Sequence, residues 1–393
     1  MAKKPKAPKP PREIEVGPPE EEQFLRHAAP IALSALVGHS GPARLLQNTL
    51  KSGRVHHAWI FHGPQGVGKC TAALAFAALL LDPTTQATFG GGFEADPSSI
   101  TQQLLKAGTH PDLRVIVKEL AKFSEDSDTR KSKQTSIPIG VLRDFMLEPG
   151  SRSRSVKTAS MASKVFIVDE AELLLGPAQN SLLKMLEEPA PGVVIILVTS
   201  AEEYLLPTIR SRAQRVYFAP LSQPEMHTWF KSHLFDPLLT PEEEKFLIEF
   251  SGGAPGSFVA AHEGKIFSWW QHIGAMLVAA EKGQYSTDFG PAMHELVGTY
   301  AREWVEVHEN ASKESANKDA AAWMFKLVGS YINRRLREAA RLANGPQAVK
   351  PYLVMLDKVR EAEAEMDSNV NQQFVMEKLA AELASALEMA NSK

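Results

Sequence analysis

Gly63-Pro64-Gln65-Gly66-Val67-Gly68-Lys69-Cys70 constrains this chain more than any other stretch. Its spacing fits G-x-x-x-x-G-K-[ST] except at the last place. Before it lies His57-Ala-Trp-Ile-Phe-His62, an apolar run that reads as a strand. After it, Thr71 to Leu81 is rich in alanine and leucine and reads as a helix. A glycine loop between a strand and a helix is built to meet phosphate. Gly63, Gly66 and Gly68 let backbone N–H groups converge on oxygens, the helix N-terminus adds positive potential, and Lys69 neutralises the outer phosphates. The loop requires an α/β fold around it.

The flanking sequence supplies that fold. Leu113–Val117, Lys164–Asp169 and Val193–Thr199 are short apolar runs, the last two rich in β-branched residues. Continuous apolar runs of this length are how strands buried on both faces of a parallel sheet read. Helical stretches such as Gln179–Glu188 alternate with them, which predicts a sheet wrapped by helices.

Two strand ends carry further chemistry. Asp169-Glu170 closes an apolar strand, so Asp169 is a candidate for the Mg²⁺ shell and Glu170 for polarising an attacking water. Glu172 reads as a solvated carboxylate. Thr199-Ser200 ends the next strand, where the Ser200 hydroxyl is a candidate contact for a terminal phosphate. Position 70 is the departure. The motif normally offers a hydroxyl there to Mg²⁺, a hard cation that prefers oxygen, whereas Cys70 offers a soft sulfur. Thr71 has the hydroxyl, but one position along and roughly 100° around the helix. Binding through the backbone, Lys69, Cys70 and Thr71 is expected to survive, with metal placement weakened.

Composition narrows the classes. The net charge is −3, from 43 basic and 46 acidic side chains, so no whole-molecule basic field exists for gripping nucleic acid. Cys70 is the sole cysteine among 393 residues, which excludes an intramolecular disulfide framework and any cysteine-cluster zinc or iron–sulfur site. No apolar run approaches the ~20 residues that span a bilayer, and the expectation is a soluble, cytoplasmic chain without a membrane partner. The histidines show no metal-ligand spacing with acidic company.

Four regions follow. Residues 1–23, Lys/Pro-rich and ending in Glu20, Glu21 and Glu22, read as a disordered tail. Residues 24–219 are the α/β domain, interrupted by a glycine-rich connection at Phe89–Phe93 and a polar surface insertion at Ser124–Ser136. Residues 220–265 read as a small helical domain, in which Thr240-Pro241-Glu242-Glu243 is a helix start. Residues 266–393 read as helical, with Val375, Leu379, Leu383 and Leu387 forming one apolar stripe. The adjacent Trp269 and Trp270 read as core and interface groups. Arg152, Arg154 and Lys157, spaced by serines, are candidate non-specific phosphate contacts for DNA.

Four blocks in this order resemble one family: the His56–Lys69 segment, Val165–Glu172, Asn180–Pro189, and Leu206–Arg215. They are similar to the clamp-loader branch of the AAA+ ATPases, as found in bacterial DNA polymerase III, over about residues 36–220. The resemblance implies α/β plus all-α architecture: a RecA-like AAA+ P-loop domain, a small helical lid and a C-terminal helical collar that joins subunits. It further implies a pentameric ring with partners of gamma/tau and delta type, which opens a sliding clamp and loads it on primer-template DNA during replication, using ATP and Mg²⁺. Arg212, in Ser211-Arg212-Ala213, stands where the family has an arginine finger that reaches a neighbour's ATP.

Departures from the family pattern shape the expected role. The four-cysteine zinc module is missing, so no zinc is expected. Ala213 replaces the cysteine of the finger motif. Ser257 stands where ATP-using members place a sensor arginine. Together with Cys70 these point to a weakened ATP site, and hence to a stator that donates Arg212 rather than a motor. The alternative is an ATP-hydrolysing motor subunit resembling gamma/tau or a replication-factor-C small subunit. A small-molecule kinase leaves the Ser211-Arg212 segment and the helical C-terminal region without a purpose. Polymerase chemistry in the chain itself is not expected, because no set of three metal-binding carboxylates is identifiable.

Overall fold

The computed structural model describes residues 27–131, 135–151, 160–233, 239–307, 313–341, 346–368 and 370–392. The 1–23 tail, Arg152, Arg154 and Lys157 lie outside the described residues. The chain divides into two compact units at Trp229 and Phe230, each considered separately below.

The first unit is built on five parallel strands: β1 (Ala58–His62), β4 (Leu113–Ile116), β5 (Lys164–Val168), β6 (Val193–Thr199) and β7 (Gln214–Tyr217). Their order is β4-β5-β6-β1-β7, with β1 between β6 and β7. This is the parallel α/β sheet with buried strands expected from the sequence. Register carries the strand ends together: His62 pairs with Thr199 on one side and with Tyr217 on the other, so β1 and β6 finish at the same level. Every residue of β5 and β6 is buried, as a strand covered on both faces demands.

Helix α1 (Ser40–Ser52) precedes β1, and α2 (Lys69–Leu81) follows the glycine loop. All side chains from Ala72 to Leu81 are buried. A helix apolar all round has to lie inside, and small alanines let it approach the sheet closely. Trp59 and Phe76 meet edge to face at 5.3 Å in this contact.

Two segments depart from the sequence reading. The glycine-rich connection is a β-hairpin, β2 (Gln86–Ala87) with β3 (Phe93–Glu94). Thr88 N–H donates to Gly92 O at 2.8 Å and Gly91 N–H to Thr88 O at 3.0 Å, closing the turn. Gln47 of α1 grips the Phe93 backbone at both its N–H (2.6 Å) and its carbonyl (3.4 Å). Glycine content signals chain freedom, but hydrogen bonds from a distant helix determine the outcome.

The segment read as a polar surface insertion is in part interior. Ser124 and Thr129 are buried, because their polar atoms are satisfied locally. Ser124 Oγ donates to Asp144 Oδ2 at 2.5 Å, and Asp126 accepts from Thr129 N–H at 3.2 Å. Directly after it, Ile137, Val141, Leu142, Phe145 and Met146 join the core cluster that contains Phe166 and Leu182. Residues 132–134 lie outside the described residues.

The first unit also contains α3 (Ile100–Lys106), α4 (Gly176–Glu187), α5 (Pro207–Arg210) and most of α6 (Gln223–Ser232), with short helical turns elsewhere, several of them between β4 and β5. The second unit contains seven helices among its described residues: α7 (Pro241–Ser251), α8 (Pro255–Glu263), α9 (Ile266–Glu281), α10 (Phe289–Val307), α11 (Lys313–Arg341), α12 (Pro346–Asp367) and α13 (Gln372–Ser392). Thr240 caps α7 through its hydroxyl, which accepts from Glu243 N–H at 3.2 Å, with Pro241 at the first helical position.

Val375, Leu379 and Leu383 of α13 are fully buried, so that stripe faces a core. Trp269 is buried against Tyr300 (5.8 Å, edge to face), while Trp270 stacks on Phe246 and lies by Tyr331. Glu281, at the end of α9, accepts hydrogen bonds from Tyr331 Oη, from Tyr352 Oη (2.6 Å) and from Arg335 Nε (2.7 Å), binding α9, α11 and α12 to one carboxylate. Gly290 of α10 meets α13 so closely that a Cβ there would sit 2.5 Å from Glu377 Cα. Among the described residues no helix is long and apolar enough to cross a membrane.

Candidate functional site

The glycine loop leaves the carboxyl end of β1 and enters α2, at the edge of the sheet where ligands of open α/β folds bind. Gly63 (φ 141°), Gly66 (φ 77°) and Gly68 (φ 104°) all occupy backbone regions that side chains disfavour. At Gly63 the reason is also steric, since a Cβ would lie 2.1 Å from Phe218 O. Gly63 is therefore required for the loop to pass against the Phe218 backbone.

Lys69 is buried, and its ammonium donates to Gly63 O and Pro64 O at 2.7 Å each. Burial lowers its pKa, while the carboxylates of Glu172 and then Asp169 oppose that shift. His39, the residue before α1, is buried and its Nε2 lies 2.7 Å from Val67 O, bracing the loop from behind. The sequence reading missed His39, because it stands outside any spaced motif.

Cys70 and Asp169 share a side-chain hydrogen bond. Burial pushes the thiol far above its ordinary range, so it is the S–H that donates to the carboxylate. Burial likewise raises Asp169. Thr71 is exposed on the first turn of α2 and supplies no substitute hydroxyl at this point. The donor set thus fits the phosphates of a nucleotide well and Mg²⁺ poorly: a single carboxylate, Asp169, is the oxygen ligand within this pair, and it is already engaged by sulfur.

Glu170 adopts a left-handed conformation, φ 50°, unusual for a residue with a side chain. Its carboxylate pairs with Lys118 Nζ at 2.8 Å. Lys118, just beyond β4, is the second residue the sequence reading missed; only the fold brings it across to β5. The turn at Glu170 sends the next residues toward β6. Glu172, expected to be solvated, instead accepts from Ser200 N–H (3.1 Å) and Ser200 Oγ (2.5 Å). Ser200, expected to face a terminal phosphate, spends its hydroxyl on that carboxylate.

Arg212 stands apart from these groups, just past α5 at the start of the edge strand β7. Its guanidinium donates to Thr208 O at 3.0 Å and pairs with Glu187 at 3.0 Å, both partly exposed. Nearby, Arg215 is engaged by Glu202, and Ala213 packs against the core cluster. The sheet therefore brings together Gly63, Gly66, Gly68, Lys69, Cys70, Asp169 and Ser200, and leaves Arg212 on an outer margin. No group of three or more His, Cys, Asp or Glu residues suited to a metal occurs among the described residues.

Residues 38–222 match the model of the family described as DNA polymerase III, delta subunit. That stretch is similar to clamp-loader subunits of delta-prime type. The delta-prime subunit of Bacillus subtilis is 32% identical over 182 residues, 46% of this chain and 47% of the relative. The delta-prime subunit of Pseudomonas aeruginosa is 33% identical over 201 residues, 51% of this chain and 53% of its own length. A gamma/tau subunit from Mycobacterium bovis is 30% identical over 197 residues, 50% of this chain and 30% of the relative. The chain spans about half the length of the delta-prime relatives it matches, and the family match lies in the α/β unit.

Proposed function

We propose that the chain is a clamp-loader subunit of a DNA polymerase III assembly that helps open a sliding clamp and load it on primed DNA, mainly as a stator. In this reading Arg212 reaches the ATP of an adjacent subunit, where a fixed guanidinium stabilises charge on the transferring phosphoryl group. The observation that carries it is the contrast between two places. Arg212 is held at the margin of the domain by contacts that are partly solvent-exposed and easily exchanged. The chain's own phosphate loop, by comparison, has a thiol at the metal position and its candidate water-polarising Glu170 tied to Lys118.

Partners would be gamma/tau- and delta-type subunits in a ring, the clamp, and primer-template DNA contacted non-specifically through the complex, with Arg152, Arg154 and Lys157 as candidate phosphate contacts. The second unit would supply the lid and collar. ATP would sit on Gly63, Gly66, Gly68 and Lys69. The motor alternative draws on the intact Lys69 and Asp169.

The test is Arg212→Ala in a reconstituted loader. DNA-stimulated ATP hydrolysis by the neighbouring subunits should fall at least about tenfold, while assembly is retained; arginine fingers are worth more than that in related chemistry. Hydrolysis and clamp loading at the native rate would refute the stator role.

A further inference from the structure

Glu172 closes the Val165–Glu172 block without a role of its own, and four observations converge on it. It takes the backbone N–H and the hydroxyl of Ser200 onto Oε1. Burial would raise its carboxyl, but hydrogen-bond donors around it, Ser200 first and Thr199 among them, outweigh burial and hold it below the usual glutamate range. Its Oε2 is buried and has no hydrogen-bond partner among the described residues. Finally, among the charges acting on the Lys69 ammonium, Glu172 is the foremost, ahead of Asp169. The donors at the end of β6 and the field of the loop lysine are what a terminal phosphate would require, and here an internal carboxylate engages both.

We propose that Glu172 is a specificity-determining residue that biases this site toward nucleoside diphosphates. The inference rests on the reading of the glycine loop as a nucleotide site. A diphosphate needs the loop amides and Lys69 and leaves the Glu172–Ser200 contact intact. A triphosphate adds a further anionic group toward Ser200, where it meets a fixed negative charge and finds its hydroxyl donor already committed. Like charges in a partly desolvated site repel strongly, and a donor already bonded to a carboxylate is not released without loss. Glu170, in its left-handed turn, is what returns the chain so that Glu172 faces β6.

The experiment is calorimetric titration of the full chain with ADP and with ATP, for the native protein and for Glu172→Gln, which keeps shape and removes charge. The native chain should bind ADP at least about tenfold more tightly than ATP, equivalent to about 1.4 kcal/mol. In Glu172→Gln the two affinities should converge through a gain for ATP, with ADP affinity unchanged; a merely structural role would weaken both together. Glu172→Ala, which also frees Ser200, should behave the same way and serves if the glutamine variant does not fold. Equal native affinities, or an ADP/ATP ratio unmoved by either variant, would overturn the inference while leaving the nucleotide reading in place. Absence of binding by both nucleotides in native and variant chains would remove the nucleotide reading and this inference with it.

Discussion

Lys118 Nζ lies 2.8 Å from Glu170 Oε2, so the carboxylate best placed by sequence to polarise a water is held by a cation just beyond the neighbouring strand β4. The two side chains are 29% and 39% exposed, and a pair so open to solvent is worth at most about 1 kcal/mol. Such a contact can be exchanged when a ligand or a neighbour arrives. On the reading of the glycine loop as a nucleotide site, Lys118→Met should therefore release Glu170 and raise phosphate release from ATP by the isolated chain several-fold over the native protein. A rate that stays at background would mean that Glu170 is not limited by this contact.

Cys70 makes a second, separable prediction. With a protonated thiol donating to Asp169, magnesium has little to gain at this site. Nucleotide affinity of the native chain should change less than about threefold when Mg²⁺ is replaced by excess chelator, a difference of under about 0.7 kcal/mol. Cys70→Thr restores a hard oxygen ligand and should make binding clearly Mg²⁺-dependent. Strong Mg²⁺ dependence in the native chain, lost on adding chelator, would show that sulfur is no obstacle.

The Glu281 node gives a pH dependence in the second unit. Burial would raise this carboxyl, but hydrogen bonds from Tyr331, Tyr352 and Arg335 outweigh it and hold its pKa below the usual glutamate value. A group depressed in the folded state adds stability that is complete above its unfolded pKa, about 4.3, and is lost as pH falls through the folded value. Glu281→Gln should thus cost about 1–3 kcal/mol at neutral pH and progressively less as the pH drops below about 4. Urea unfolding followed by tryptophan emission is the natural measurement, because Trp269, Trp270, Trp304 and Trp323 all belong to this unit. A difference between native and variant that is constant from neutral to acid pH would contradict the node.

What could be read from the sequence, and what could not, divides by range. The strands were legible because each is a short β-branched run whose burial is a property of its own residues, as in Val193–Thr199. The glycine loop was legible because its backbone needs glycine at Gly63, Gly66 and Gly68, which fixes residue types at fixed spacing. By contrast, Gln47 on Phe93, Lys118 on Glu170 and Ser200 on Glu172 join residues separated by 46, 52 and 28 positions. Polar side chains carry no periodicity that announces such partners. Glu172 looked solvated for that reason: an acidic residue just past a strand end is usually so, and only the approach of β6 makes it otherwise. Residues such as Ser124 were misjudged on the same ground, since a polar segment reads as exposed until its internal hydrogen bonds are known.

The close crossing at Gly290 has a consequence for how the chain comes into being. Phe289, Met293 and Val297 of α10 are buried in the finished unit, and α13 passes so near Gly290 that no side chain fits between them. Yet α13 begins at Gln372, well after α10 ends at Val307. At ribosomal speeds of about 5–20 residues per second, the first residue of α13 follows the last of α10 by roughly 3–13 seconds. During that interval α11 and α12 are made and α11 can pack on α10, while the part of α10 that α13 covers stays open. The second unit is thus a structure whose assembly is timed by translation, and its most exposed moment comes before its final helix is made.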